Sequence, residues 1–301
     1  MKIVVTGGSG FVGSHVVEEL RRRGHDVAVF DARKPERGPA VDARFLPGDL
    51  ASLDDLAGAF RGMDAVCHLA GVGDVYLAAE EPYTAARANV VGTTNVAEAA
   101  CRAGLGKVVY ASTWEVYGTP QRQPIDEEHP CAPDHPYNIT KYGGELMALS
   151  YDHLKGLPVL ALRLGTAYGL RMRPNSVFSL FIDRAARGEP IVIQGTGEQT
   201  RQFTHARDIA RAFALACESS AHGMALNTVA ERSISVRELA EAVCRRLPTE
   251  IQFAPARSGD IAPAIVSSRK AEAVLGWKAE VDFDDGVAEQ IAAATADGRP
   301  R

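Results

Sequence analysis

Seven residues near the start, Gly7-Gly8-Ser9-Gly10-Phe11-Val12-Gly13, restrict what this chain can fold into more than any other stretch. They follow a short apolar run, Lys2 to Thr6, rich in β-branched residues. They lead into apolar positions at Phe11, Val12, Val16, Val17 and Leu20, a helical recurrence closed by Arg21-Arg22-Arg23-Gly24. A glycine triplet between a strand and a helix has a steric meaning. Gly7 and Gly10 let the backbone turn and approach a pyrophosphate, and Gly13 lets helix and strand pack closely. The helix N-terminus adds free N–H groups and the positive end of a dipole.

Asp31 stands at the end of the next strand, Asp26 to Phe30, 18 residues past Gly13. An acid there accepts the hydroxyls of an adenosine ribose and repels a 2′-phosphate, which favours NAD. Arg33 and Lys34 lie near enough to hold a phosphate, so NADP stays open. The alternation continues through strands at Arg44 to Leu46, Ala65 to Leu69 and Lys107 to Ala111, with helices at Ser52 to Arg61 and Asn89 to Ala103. Asp49 follows the third strand, where it can meet the adenine amine. Strand-then-helix repetition predicts an α/β fold with a doubly wound parallel sheet and ligands at the carboxyl ends of its strands.

Composition narrows the partners. With a net charge of −5 over 301 residues there is no reason to expect nucleic acid or an anionic membrane, so any anionic ligand must meet local basic residues. No apolar run is long enough to span a bilayer, and no signal peptide precedes the first strand. The five cysteines (Cys67, Cys101, Cys131, Cys217, Cys244) lack C-x-x-C pairing and fit a reducing, cytoplasmic setting. His15, His68, His153 and His205 show no ligand spacing, so no metal is assigned.

Tyr137 and Lys141 stand four apart, on one face if their segment is helical. An ammonium beside a phenol favours phenolate and makes Tyr137 a candidate general base for an alcohol proton. Alone, Y-x-x-x-K is a common pattern of amphipathic surface helices. Here Thr113 follows the fifth strand at the ligand edge of the sheet, which puts a dinucleotide site and the Tyr/Lys pair in one crevice.

Taken together, these motifs resemble the extended short-chain dehydrogenase/reductase family, in particular its nucleotide-sugar epimerase/dehydratase branch. The matching residues are Thr6 through Gly13, Asp31, Gly48-Asp49-Leu50, His68-Leu69-Ala70, Asn89-Val90-Val91-Gly92-Thr93, Ser112-Thr113 through Gly118, and Tyr137 with Lys141. The resemblance implies a Rossmann-type NAD-binding domain over residues 1–168, to which segments near 203–230 return. A smaller α/β substrate-binding domain would occupy mainly 169–301. It implies NAD contacts from Gly7, Gly10, Phe11, Val12, Gly13, Asp31, Arg33, Asp49, Leu50, Leu69, Ala70, Asn89, Tyr137, Lys141 and Gly165. Tyr137 would be the acid/base, Lys141 would bind the nicotinamide ribose and lower the Tyr137 pKa, and Thr113 would hydrogen-bond the substrate alcohol. A homodimer through helices near 82–103 and 137–155 is implied as well.

The second half continues with a strand at Leu160 to Arg163, a basic loop Arg171-Met172-Arg173-Pro174-Asn175 expected to be mobile, a helix at Ser176 to Ala186 and a strand at Pro190 to Gln194. Thr166 takes the place of the family's usual Asn, which contacts the substrate diphosphate. Gln202 replaces the usual acid in the Gly195 to Phe203 stretch. By the same resemblance Arg201 and Arg257 clamp a nucleotide diphosphate, and two guanidiniums give bidentate charge-assisted bonds to phosphoryl oxygens. The reaction is then expected to be an NAD-dependent 4-epimerisation of a nucleotide sugar through a transient 4-keto form. Two alternatives stay open. Glu115 stands where a C5 base for dehydration or decarboxylation belongs, whereas Trp114 puts an indole where the dehydratase acid should be. A non-catalytic NAD(P)-sensing module is the reading from another class.

Overall fold

In a computed structural model that describes residues 1–36, 38–255 and 264–296, Lys2–Thr6 form an interior strand, β1, buried from Ile3 onward. Helix α1 (Phe11–Arg22), β2 (Asp26–Asp31), β3 (Arg44–Pro47), α2 (Leu53–Phe60) and β4 (Ala65–His68) follow. Ser52 caps α2, its Oγ accepting from Asp55 N at 3.2 Å, as the sequence predicts. The expected helix at Asn89 to Ala103 is part of a longer helical run. It comprises α3 (Val75–Glu80), α4 (Pro82–Ala86), a π-helical turn (Arg87–Val91) and α5 (Gly92–Ala103). Strand β5 (Lys107–Thr113) extends past the predicted end, so Thr113 is its last residue.

Helix α6 (Pro136–Lys155) carries Tyr137 in its first turn. His135 and Pro136 set its start, the His135 Nδ1 accepting from Tyr137 N at 3.2 Å; Gly156, at φ 68°, ends it. Beyond it come β6 (Val159–Leu164), β7 (Thr166–Tyr168), α7 (Val177–Ala186), β8 (Ile191–Gln194), β9 (Thr200–Arg201), β10 (Phe203–His205) and α8 (Ala206–Glu218). The described chain finishes with β11 (Met224–Thr228), β12 (Ile234–Ser235), α9 (Val236–Cys244), β13 (Ile251–Ala254), α10 (Arg269–Leu275) and α11 (Phe283–Ala296).

Seven strands make the main sheet, in the order β11-β6-β5-β4-β1-β2-β3, and every pairing in it is parallel. Alternate residues of β1 feed opposite layers, as the period of a strand requires. Ile3 and Val5 join α1 and α8 through Val16, Val17, Leu20, Ile209 and Phe213. Val4 joins the layer of α2, α5 and α6 through Leu56, Val96 and Ala148. A separate core gathers Tyr168, Phe178, Ile193, Phe203, Leu239, Phe283 and Val287. The chain leaves β1 in one direction for β2 and β3 and returns to its other side for β4, β5, β6 and β11. That reversal opens a crevice at the carboxyl ends of β1 and β4, where a ligand has room.

The 171–175 loop, expected to be mobile, makes side-chain ties to other elements. The Arg171 guanidinium donates to Ser14 Oγ at 2.9 Å and to Glu18 Oε2 at 2.8 Å, and Arg173 forms an ion pair with Asp74. Composition suggested mobility because the anchors lie about 100 or more residues away along the chain. Arg257 lies outside the described residues.

Candidate active site

The glycine loop occupies the crevice for reasons that are steric at each position. Gly7 has φ +72°, and a Cβ there would stand 2.6 Å from Ala70 N on the neighbouring strand end. A Cβ on Gly13 would stand 2.1 Å from the Gly7 carbonyl oxygen. At Gly10 the nearest obstacle is that same oxygen at 3.2 Å, so this glycine leaves space open to the outside. Gly10 caps α1 without a side-chain hydrogen bond, and the first turn of α1 holds no acid. Free N–H groups, a positive helix end and an uncluttered approach are what a pyrophosphate requires. Val12 and Leu69 pack against the core beneath the loop.

Asp31 ends β2 facing this loop. Its carboxylate accepts from Ser9 N at 3.2 Å and Arg33 N at 3.0 Å. Ser9, Gly10, Phe11, Arg33 and Lys34 line a cleft of about 1300 Å³ whose far wall includes Arg171 and Arg173. These residues fit the adenosine and pyrophosphate of a dinucleotide. Asp49 is exposed past the end of β3, its Oδ1 accepting from Ala51 N at 3.0 Å, and the Leu50 carbonyl is tied to Asn95 at 2.9 Å.

Asn89, expected to contact the cofactor, is tied into the scaffold in the ligand-free chain. Buried in the π-helical turn, its Oδ1 accepts from Val72 N at 2.8 Å, and its Nδ2 donates to Val72 O and Thr140 Oγ1, both at 3.0 Å. The amide is fully engaged in joining the loop after β4 to α6. His68 makes a parallel tie. Its Nδ1 meets Thr6 Oγ1 at 2.7 Å and its Nε2 meets Thr93 Oγ1 at 3.0 Å. Thr93 spends its proton on Asn89 O at 2.6 Å, so Nε2 is the protonated nitrogen and Nδ1 the acceptor.

Thr113 and Tyr137 meet across the crevice. A hydrogen bond from the Thr113 side chain favours the phenolate of Tyr137, and so does the Arg173 charge. Burial and the Glu115 carboxylate act more strongly the other way and hold the phenol well above its ordinary pKa. Lys141 is not the group that sets the phenol in the ligand-free chain. Its Nζ lies over the Tyr110 ring, 4.5 Å from the centroid, and burial brings its own pKa down to about 8, against an opposing pull from Glu145. Glu115 is raised by burial, with Arg201 lowering it and Asp134 raising it further. Thus Thr113, Tyr137, Glu115, Arg173 and Arg201 share one electrostatic neighbourhood.

Leu164 pairs with Thr113 across the sheet, so Gly165 and Thr166 emerge beside it. A Cβ on Gly165 would meet Thr204 Oγ1 at 2.3 Å, which makes this glycine a packing requirement. Trp114 turns away into a small apolar cluster with Val116, Tyr117, Ile125 and Val229, and is 8% exposed. Gln202 stitches two loops, donating to Ala230 O at 2.7 Å and accepting from Val266 N at 2.6 Å. Arg173 was not anticipated as part of the site, nor was the buried Glu145. The spacing that singled out Lys141 from Tyr137 repeats once more to Glu145, and that was the available signal.

Comparison with known proteins places this geometry. Residues 3–228 match the NAD dependent epimerase/dehydratase family. A UDP-glucose 4-epimerase of Mycolicibacterium smegmatis is 32% identical over 97% of this chain and 97% of its own. A dTDP-glucose 4,6-dehydratase of Actinoplanes sp. is 30% identical, again over 97% of both chains. Among solved structures, MoeE5 in complex with UDP-glucose and NAD superposes with a TM-score of 0.90 at 34% identity, covering 99% of each chain.

Proposed function

The chain belongs to the NAD-dependent epimerase/dehydratase family, and from that premise we propose that it is a nucleotide-sugar 4-epimerase working through a transient 4-keto sugar. That it is an NAD-dependent enzyme follows from the family and its relatives, which include both epimerases and dehydratases. NAD, when bound, supplies a reversible hydride acceptor. The chain's own residues do the rest. The glycine loop and the N-terminus of α1 hold the pyrophosphate, Asp31 the adenosine ribose, and Lys141 the nicotinamide ribose. Thr113 orients the sugar 4-hydroxyl, and Tyr137 takes its proton and later returns one. Arg201 and Arg257 clamp the diphosphate, with Thr166 offering a hydroxyl.

The observation that carries the epimerase reading is the burial of Trp114 in its apolar cluster. No acid occupies the position next to Thr113 from which a C6 leaving group would be protonated. Glu115 favours a second reading, C5 chemistry ending in dehydration or decarboxylation, because its buried carboxyl is raised toward the range of a general base. Incubation with UDP-, dTDP- and GDP-sugars in deuterated water separates the two. The expected result is an epimerised sugar without deuterium at C5. Deuterium at C5, or release of water or carbon dioxide, assigns Glu115 as a catalytic base and overturns the epimerase reading. Retained NAD(P) binding without turnover on any of these sugars supports the sensor reading.

On this reading residues 1–168 with the 203–230 segment form the cofactor domain, and 169–301 mainly the substrate domain. Five free cysteines and no helix among the described residues able to cross a membrane are compatible with a cytoplasmic site of action. A homodimer is part of the proposal. Tyr83, Val91, Ile139 and Leu146 are 74%, 52%, 49% and 51% exposed on α4, the π-helical turn and α6, which pack against one another. Sedimentation of the wild type should give twice the monomer mass, and Leu146→Glu with Val91→Glu should halve it. A wild type that sediments as a monomer at micromolar concentration removes this part of the reading.

A further inference from the structure

Tyr137, Lys141 and Glu145 stand at successive four-residue intervals of α6, and so on one face of the helix. Glu145 is 1% exposed and reaches three elements that carry the reacting groups. Ser112 Oγ donates to its Oε2 at 2.5 Å, from the residue before Thr113 on β5. Arg163 on β6 donates through Nε to Oε2 at 3.1 Å and through Nη2 to Oε1 at 2.6 Å. The third Arg163 nitrogen, Nη1, donates to Tyr117 OH at 2.7 Å, and Tyr117 OH donates to Asn227 Oδ1 at 2.8 Å. Tyr117 closes the 3-10 turn that carries Glu115.

We propose that Glu145 is the positioning residue of this site, holding Thr113, Tyr137 and Glu115 in one register and standing one helical turn from Lys141 as its opposing charge. The proposal rests on the reading of Tyr137 and Lys141 as the reacting pair. Two arguments carry it. First, one carboxylate joins β5, α6 and β6 at the places where each delivers a site residue, and through Arg163 and Tyr117 it reaches the Glu115 turn. Displacing such a hub by a fraction of an ångström displaces all of them together. Second, the charges do not balance without it. Among the described residues, the titratable groups that act on Lys141 are His68 on β4, Tyr110 on β5 and Glu145 on its own helix, with Tyr137 one turn before it. Of these only Glu145 offers an opposing charge to the buried ammonium. Around Glu145 itself stand Arg163, Ser112, Tyr110, Tyr142 and Cys131. Its attraction for Lys141 and for Arg163 is thus exerted in a low-dielectric setting, where it is strong.

The test compares wild type with Glu145→Gln, Glu145→Asp and the double variant Glu145→Gln/Arg163→Met. The double variant avoids stranding a buried guanidinium, so it keeps the test alive if the single variant does not fold. In Glu145→Gln and in the double variant, kcat should fall about 10- to 100-fold with KM nearly unchanged. The alkaline limb of kcat should move down by about one pH unit or more, because the ammonium has lost its opposing charge. Glu145→Asp should restore the limb while leaving kcat reduced. Side-chain NMR titration of Lys141, assigned with Lys141→Arg, should show the same downward movement without any substrate. A Lys141 titration that stays in place in both Gln variants overturns the proposal. So does a reduced kcat with an unmoved alkaline limb, which is what a merely structural role gives. Absence of wild-type turnover on nucleotide sugars strikes the reading of the site instead, and the NMR titration still decides the role of Glu145.

Discussion

Tyr137→Phe is expected to abolish most turnover while leaving the protein folded and able to bind NAD. On the proposed reading the phenol exchanges a proton with a sugar hydroxyl beside Thr113, and removing a general acid/base costs about 100- to 10,000-fold in rate. The stability cost should be small, within about 1 kcal/mol. The lost hydroxyl gives up its hydrogen bond to Thr113 but also leaves a buried site where the Glu115 charge disfavours its ionised form. The measurement is turnover alongside NAD stoichiometry and a thermal melt of the same preparation. Normal turnover in this variant defeats the central assignment, whereas loss of NAD or of folding shows that Tyr137 serves the scaffold. The height of the phenol's pKa in the ligand-free chain sharpens the expectation. Burial and Glu115 hold the proton on, so proton removal from the sugar needs Glu115 neutral or an added positive charge near the phenol. Arg173 already pulls in that direction.

The parts of this site that were legible in the sequence are those where one residue type is sterically or chemically forced. Gly7 and Gly13 are such positions, since a Cβ would strike Ala70 N or the Gly7 carbonyl, and a strand-to-helix context made them readable. That Tyr137 and Lys141 share one helix was readable from their four-residue spacing. Elsewhere the sequence did not show which partners a side chain has. Asn89 reads like a ligand contact, and its amide also joins Val72 and Thr140, partners 17 and 51 residues away that no local pattern reveals. Trp114, which stands where an acid would serve dehydration, is also a core side chain, and no local pattern shows its partners. Loop 171–175 read as free because its anchors, Ser14, Glu18 and Asp74, belong to distant segments. Strands β7, β9, β10 and β12 span two or three residues each, too short to show a period of two. The amphipathic helix α8 escaped notice beside them, although it buries Ile209, Ala212, Phe213 and Ala216 against the sheet.

Acid should destabilise this fold steeply, and the histidines on either side of the cofactor crevice say by how much. Burial holds His68 neutral, with its pKa down to about 3, and the nearby Lys141 charge adds to the effect. His15 is brought to about 4 by burial and by Arg171, its Nε2 donating to Leu170 O at 2.8 Å. In the unfolded chain both return to about 6.5. Between that value and the folded pKa the unfolded state binds a proton that the folded state refuses. Stability is therefore whole above pH 6.5 and falls as pH drops. Each histidine contributes about 1.4 kcal/mol per pH unit, so the pair removes roughly 4 kcal/mol by about pH 5, before most carboxylates titrate. Glu115 and Glu127 oppose this, since burial raises both and a raised carboxyl steadies the fold as pH falls. Comparison with His68→Gln isolates the histidine share. The Gln amide can still donate toward Thr93 and accept from Thr6, but it does not titrate. Denaturant unfolding at stepped pH should show a wild-type slope steeper by about one proton than that of the variant, so the two curves converge toward acid. Equal slopes would mean that His68 is already protonated in the folded chain, with Nδ1 donating as well as Nε2, so that the link to Thr6 alone would be reversed.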